Sequence, residues 1–104
     1  MTFTQMLDET KIRHSEGEFR ADLPTPYMVY ESDCETVCAD GIVVYIQGEY
    51  TLYLAVKRDD TASEKAVESV LDAHKIAYTK SRSWIGGKQM VYLCEYRFEA
   101  RLEW

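Results

Sequence analysis

The stretch MVYLCEYRFEARLE, residues 90–103, decides the fold because apolar and charged side chains alternate along it. Strict alternation is typical of a strand with one buried and one solvated face. An unbroken strand of this length would extend ~45 Å at ~3.3 Å per residue, longer than a domain of this size needs. We therefore expect its far end to project beyond the sheet, with unpaired backbone groups and exposed side chains at Leu102 and Trp104. The buried face should hold Met90, Tyr92, Cys94, Tyr96, Phe98, Ala100 and Leu102, and the solvated face Glu95, Arg97, Glu99, Arg101 and Glu103.

Four more segments are predicted to form or join strands of the same sheet. A strand that carries Tyr78, Lys80, Arg82 and Trp84 on one face precedes the last one, and Gly86-Gly87 predicts the hairpin turn between them. Two strands, 42–47 and 50–57, are expected to join at 47–49; their nearly continuous apolar runs indicate that both faces are covered. The run 27–30, directly after a proline, predicts the first strand. Residues 14–26 and 32–41 are polar or rich in turn formers and are expected to be loops.

Two helices complete the prediction. Thr61-Ala62-Ser63-Glu64 has the form of a capping box, so we expect Thr61 to cap the central helix and Thr61→Ala to cost roughly 0.5–2 kcal/mol. Asp59-Asp60 before it favours the positive end of the helix dipole. A short amphipathic helix is predicted over 4–13. The apolar face of the central helix should hold Ala66, Val67, Val70, Leu71 and His74, and its polar face Glu64, Lys65, Glu68 and Asp72.

These elements indicate one α+β domain over residues 1–104, with an antiparallel-rich sheet of about five strands and two helices in the order α-β-β-β-α-β-β. The chain is 104 residues long, with 46% hydrophobic and 29% charged positions, which suits one core. Its apolar run 42–46 is far short of the ~20 residues of a membrane-spanning helix, and nothing resembles a secretory signal.

The charge balance argues against two classes of partner. Twelve basic against eighteen acidic residues give a formal net charge of −6, and the basic residues are scattered among acids. Proteins that bind nucleic acid or anionic membranes gather basic side chains. We therefore expect no nucleic-acid and no membrane partner, whereas a basic protein partner would be complementary.

No motif selects a catalytic, cofactor or metal site, so we expect none of the three. The sequence lacks a phosphate-binding loop, a nucleophile elbow and paired metal-ligand motifs. Cys34 and Cys38 have no further ligand at metal-site spacing, and we expect them to be inert loop thiols without stoichiometric zinc or iron. Cys94 is expected in the core, and His74 at the helix end as a capping or half-buried residue rather than a catalytic base.

The order of short motifs resembles a family, over about residues 27–99. The chain is similar to small virion proteins of tailed phages and of prophages in Gram-positive hosts, namely tail-terminator and tail-completion proteins. The motifs that carry the resemblance are 26–30, 39–40 leading to 44–45, 50–54, 57–60, 64–71, 76–80 and 92–99. The sequence departs from the family pattern at Cys34 and Cys38, where the family has Asn and Ser, and at Gly86-Gly87, which replaces a more acidic turn.

The resemblance implies a structural protein rather than an enzyme: a tail-terminator or head–tail joining subunit that forms a ring. Implied partners are other copies of the chain, tail-tube proteins and head–tail connector proteins, in the virion or in the host cytoplasm during assembly. The alternatives are a small α+β ligand-binding or regulatory module, and an enzyme that uses His74 or Cys38. The residues expected at the assembly interface are Trp84, Gly86, Gly87, Arg97, Arg101, Leu102 and Trp104.

Overall fold

The predicted α+β architecture is confirmed. A computed structural model describes residues 3–17, 25–86 and 91–103, and its elements follow the expected order α-β-β-β-α-β-β. They are α1 (Phe3–Asp8), β1 (Arg13–Glu16), β2 (Tyr27–Ala39), β3 (Ile42–Lys57), α2 (Thr61–Ala73), β4 (Tyr78–Gly86) and β5 (Val91–Glu103).

The five strands form one mixed sheet in the order β1-β2-β3-β5-β4. Every neighbouring pair is antiparallel except β1 and β2, which run parallel. β3 lies at the centre because it pairs with β2 on one side, in a hairpin, and with β5 on the other, in a long ladder. No helix in the described part of the chain is long and apolar enough to cross a membrane.

Both helices pack on one face of the sheet, and the main core lies between these two layers. The alternation in β5 places Cys94, Tyr96, Phe98 and Ala100 in that core, as predicted. The remaining core residues are Phe3, Met6 and Leu7 of α1, Val67 and Leu71 of α2, and Met28, Tyr50, Leu52, Leu54 and Val56 of the sheet. On the opposite face Tyr27, Val29 and Ala55 form a smaller cluster, with Val91 and Leu93 packed against it.

Three predictions about the strands were wrong. The expected loop 14–26 contains most of β1, whose polar residues are drawn into the sheet by backbone pairing with β2. The expected loop 32–41 continues β2 as far as Ala39, and β3 runs unbroken through Gly48, where a turn was predicted. The turn lies instead at Asp40-Gly41, where φ is 53° and 77°. Two successive positive φ angles are what a tight type I′ hairpin requires.

The start of α2 also differs from the prediction. Asp60, not Thr61, is the N-cap: its Oδ1 accepts from the backbone N–H of Ser63 at 3.1 Å, and its Oδ2 accepts from the Ser63 hydroxyl at 2.7 Å. Asp60 therefore satisfies the backbone amide of Ser63, whereas in the predicted capping box Thr61 would have satisfied that of Glu64. Glu64, predicted both in the capping box and on the polar face of α2, lies instead in the interface between α2 and the sheet, where it is buried.

α1 ends sooner than its apolar pattern predicted, after Asp8. The Thr10 hydroxyl donates to the carbonyl of Leu7 at 2.7 Å and accepts from the N–H of Ile12 at 3.2 Å, while Lys11 adopts φ of 60°. A side chain that binds the terminal backbone groups and a left-handed residue together end the helix.

Candidate functional site

The far end of the sheet forms a three-stranded arm that extends beyond both helices. We define the arm as residues 33–39 of β2, 42–49 of β3 and 99–103 of β5; the rest of the described chain is the body. Eight residues of β3 at ~3.3 Å each make the arm about 26 Å long. The molecule is correspondingly elongated, measuring 54 × 25 × 21 Å.

An aromatic cluster fixes the arm where it leaves the body. The ring of Phe3 in α1 stacks on Tyr50 with centroids 4.3 Å apart, and Tyr50 stacks on Phe98 at 5.6 Å. Tyr30 meets Phe3 edge-on at 5.1 Å. Such aromatic pairs add to the stability that burial itself provides. The first helix therefore anchors all three strands at the base of the arm.

Next to this cluster, on the helix side of the arm, the cross-strand neighbours are small. Cys34 pairs with Gly48, and Gly48 pairs with Ala100. A Cβ atom on Gly48 would lie 2.6 Å from Cys34 Sγ and 2.7 Å from the carbonyl oxygen of Asp33. Gly48 is therefore required by close approach of β2, not by a turn. Burial, together with a hydrogen bond to Cys34, raises the pKa of Tyr50.

The opposite side of the arm is acidic. Asp33, Glu49 and Glu99 are direct cross-strand partners in one row over three strands, and all three are exposed. They line an open groove with Glu35 and Gln47. Like charges directly opposite each other destabilise a sheet. The described residues include no group of three or more His, Cys, Asp or Glu that could hold a metal ion.

Both outer edges of the arm carry no described partner strand. β1 pairs with β2 only as far as Tyr30, so the edge of β2 from Glu31 to Ala39 is unpaired by any described strand. β4 begins opposite Phe98, so none of the described strands pairs with the outer edge of β5 from Glu99 to Glu103. Unpaired strand edges expose rows of N–H and C=O groups that readily accept another strand.

The sequence predicted that the end of β5 would have unpaired backbone groups, and the structure places those groups on one side only. On its inner side β5 pairs with β3 along its whole length, up to Tyr45 opposite Glu103. The projecting strand is therefore supported by an equally long hairpin. This support was missed because the sequence of β2 beyond Tyr30 is polar and has the composition of a loop.

The predicted interface residues fall into two separate groups. Trp84 is half-exposed at the far end of the body, where its ring meets Tyr92 edge-on at 4.8 Å, and Gly86 is the last residue of β4. Arg97 is exposed at the base of the arm, and its guanidinium lies 3.2 Å from Glu95. In the arm the backbone register pairs Arg101 with Gln47 and Leu102 with Ile46. The other two predicted residues, Gly87 and Trp104, lie outside the described residues.

A second cluster of polar groups, which sequence reasoning missed, lies in the body between α2 and the sheet. Glu64 Oε1 is 3.0 Å from Lys80 Nζ and accepts from the Cys94 thiol at 3.2 Å. Glu68 accepts from Lys80 and from the Tyr96 hydroxyl, both at 3.2 Å. Cross-strand spacing places Lys80 over Tyr96, so only the strand register could have located this cluster.

The chemistry of this cluster suits a structural role, in which it holds α2 against the sheet. Burial works to raise the pKa of Glu64, but hydrogen bonds from Lys80 and Cys94 and the nearby positive charges outweigh burial, so the pKa is lowered. Burial and the adjacent Glu64 raise the pKa of the Cys94 thiol to about 12. The thiol therefore stays protonated at neutral pH, and a protonated thiol is a poor nucleophile and metal ligand.

Two exposed histidine–carboxylate pairs tie the ends of the helices to the body. His74, the C-cap of α2, lies 2.7 Å from Glu9 through its Nε2, which accords with the predicted capping role. His14 of β1 contacts Asp8 through its Nε2 at the same distance. Cys34 and Cys38 are free and exposed, and they lie in β2 rather than in the predicted loop.

No protein-family model matches the sequence, and no curated protein matches it significantly. The geometry of the described residues is therefore what bears on function.

Proposed function

We propose that this protein is a structural assembly protein of a tailed phage or prophage, a tail-terminator or head–tail joining subunit that works as a ring. Its partners are other copies of the chain together with tail-tube and head–tail connector proteins. It acts in the host cytoplasm during assembly and stays in the virion.

The observation that carries this proposal is the arm with two open edges. Strands that continue past a subunit's own core have open edges, and open edges invite pairing with another chain. An assembly subunit needs surfaces that remain unsatisfied until its neighbours arrive. Among the described strands none pairs with the outer edges at residues 31–39 and 99–103, so the sheet has this property there.

The charges of the arm support the same class of function. Its acidic row, Asp33, Glu49 and Glu99, disfavours contact with phosphate groups and favours partners of opposite charge. These features agree with a protein partner rather than with nucleic acid.

The test uses an inducible prophage that encodes the chain, with the gene deleted and supplied again from a plasmid. Deletion of residues 101–104, the end of the arm, is expected to give heads without attached tails or tails of abnormal length in electron micrographs. Lys65→Ala, on the exposed face of α2, is the control and is expected to restore normal particles.

Normal heads joined to tails of normal length in the strain without the gene would contradict the proposed function. Normal particles with the truncated chain would contradict only the role of the arm. Because truncation could also unfold the protein, its unfolding midpoint is measured beside that of the intact chain. Genes for a portal, a tail tube and a tape-measure protein next to this one would support the proposal independently.

A further inference from the structure

We propose that copies of this chain join through their arms, with the open edge of β2 in one copy (residues 31–39) pairing with the open edge of β5 (residues 99–103) in the next. The contact would make one sheet continuous between subunits. This inference deepens the proposed function, on which it rests, by naming the two surfaces that meet in the ring.

The first argument is that the two edges lie on opposite sides of the same arm. β2 and β5 flank β3, and each runs antiparallel to it, so β2 and β5 run in the same direction. When β2 of one copy is placed beside β5 of the next, all arms point the same way. A contact between two different surfaces repeats from one copy to the next and gives a ring where the rotation between copies closes. The five open residues of β5 are then covered in every copy, together with an equal stretch of the open edge of β2.

The second argument excludes pairing between identical edges. The open edge of β2 has acids at alternate positions, Glu31, Asp33 and Glu35, and all three are exposed. Two such edges side by side would place acids opposite acids, which destabilises a sheet. The open edge of β5 instead carries charges of both signs in its sequence, Glu99, Arg101 and Glu103, and the exposed Arg97 lies just before it. Pairing β2 with β5 therefore places fewer like charges opposite each other than pairing β2 with β2.

The third argument is that β4 covers only part of the outer edge of β5, so the sheet is one strand narrower beyond the start of β4. β4 starts at Tyr78, opposite Phe98, and leaves the next five residues of β5 uncovered by any described strand. A strand laid on residues 99–103 would follow the line of β4 and abut its first residue. An acidic strand would gain less from pairing with the outer edge of β4, because the positive charges of Lys80 and Arg82 already face Glu64.

The native thiols make this arrangement testable. Cys34 and Cys38 are exposed on the open edge of β2, whereas Cys94 is buried. The full chain carrying Glu99→Cys is treated with a short bismaleimide at ~10 µM protein, and covalent multimers are measured on denaturing gels. Neighbouring thiols held at millimolar effective concentration should cross-link on the order of a hundredfold faster than thiols that meet by diffusion. Mass spectrometry is expected to find position 99 linked to Cys34 or Cys38.

Three controls define the outcome. The unaltered chain is expected to give no cross-linked multimers, because no copy then has an accessible thiol on β5. Adding Cys34→Ser and Cys38→Ser to Glu99→Cys should abolish the multimers. Ser81→Cys places a thiol on the open edge of β4 and is expected to remain unlinked. Circular dichroism and unfolding midpoints establish that each variant is folded.

Links between two copies of position 99, multimers of the unaltered chain through β2, links from position 81 in place of position 99, or no multimers at all would each overturn the proposal. The result is separable from the proposed function. A ring built through other surfaces would leave tail assembly intact and these links absent. Links without any effect of gene deletion on tails would uphold the contact and refute the phage role.

Discussion

The body and the arm are held together by different means, although they share three strands. In the body, Met6, Leu52 and Leu71 are less than 2% exposed between two layers, and apolar burial is the main stabilising term. Of the described residues of the arm only Ala100 belongs to that core, and Ile42 near the tip is 69% exposed. The comparison teaches that this fold places its stability at one end and its unsatisfied surfaces at the other.

The largest expected effect is a cavity in the body. Leu71→Ala removes a side chain that is 1% exposed and should lower the free energy of unfolding by about 2–5 kcal/mol. Denaturant unfolding measures the loss. Ile42→Ala, at the exposed end of the arm, is the control and should stay within about 0.5 kcal/mol of the unaltered protein. Equal losses in the two variants would refute the division of stability between body and arm.

A smaller effect is expected at the buried carboxylate of the body. Glu64→Gln removes the charge that meets Lys80 and should cost about 1.5–3 kcal/mol at neutral pH. Because folding lowers the pKa of Glu64 below its ordinary 4.5, its ionised form stabilises the protein above that pH. This contribution falls as the pH drops through the lowered folded value.

The measurement is the unfolding midpoint of the unaltered protein and of Glu64→Gln from about pH 7 to pH 3. The two curves should converge toward acid, since protonation removes from the unaltered protein what the substitution has already removed. Glu68→Gln, at a more exposed carboxylate, should change the midpoint less. Curves that stay parallel at all pH values would show that Glu64 does not carry this dependence.

The smallest of the three effects is expected in the arm. Gly48→Ala forces a Cβ to within 2.7 Å of the Asp33 carbonyl oxygen and should cost about 1–3 kcal/mol. Hydrogen exchange should show faster exchange in residues 33–37 and 46–50, with α2 still protected. Gln47→Ala, exposed and adjacent, is the matched control. Uniform loss of protection in both regions would mean that arm and body unfold as one unit.

Sequence reasoning succeeded where side chains determine the structure. The alternation of β5 and the apolar face of α2 could be predicted because burial selects residue type at fixed spacing. Tyr96 and Leu71 are buried as predicted. It failed where the backbone determines the structure. β2 continues through Glu31, Ser32 and Asp33 because β3 offers it a partner ladder, and the composition of those residues favours a loop.

The candidate site shows the same limit. The sequence predicts Arg97 and the end of β5 at an interface because the strand is longer than the domain needs, and its length was correctly predicted. The acids of β2 and β3 that share a row with Glu99 could not be placed together without the register, and a shift of one residue would have put them on the other face. Gly48 was assigned to a turn because glycine marks both turns and close backbone approach.

The acidic row of the arm has a consequence for how the molecule responds to salt. Mobile ions weaken attraction and repulsion alike, and exposed charges feel them most. In the body they act on the attraction of Lys80 for Glu68, whereas in the arm they relieve the repulsion among Asp33, Glu49 and Glu99. Rising ionic strength therefore destabilises the body slightly and stabilises the arm.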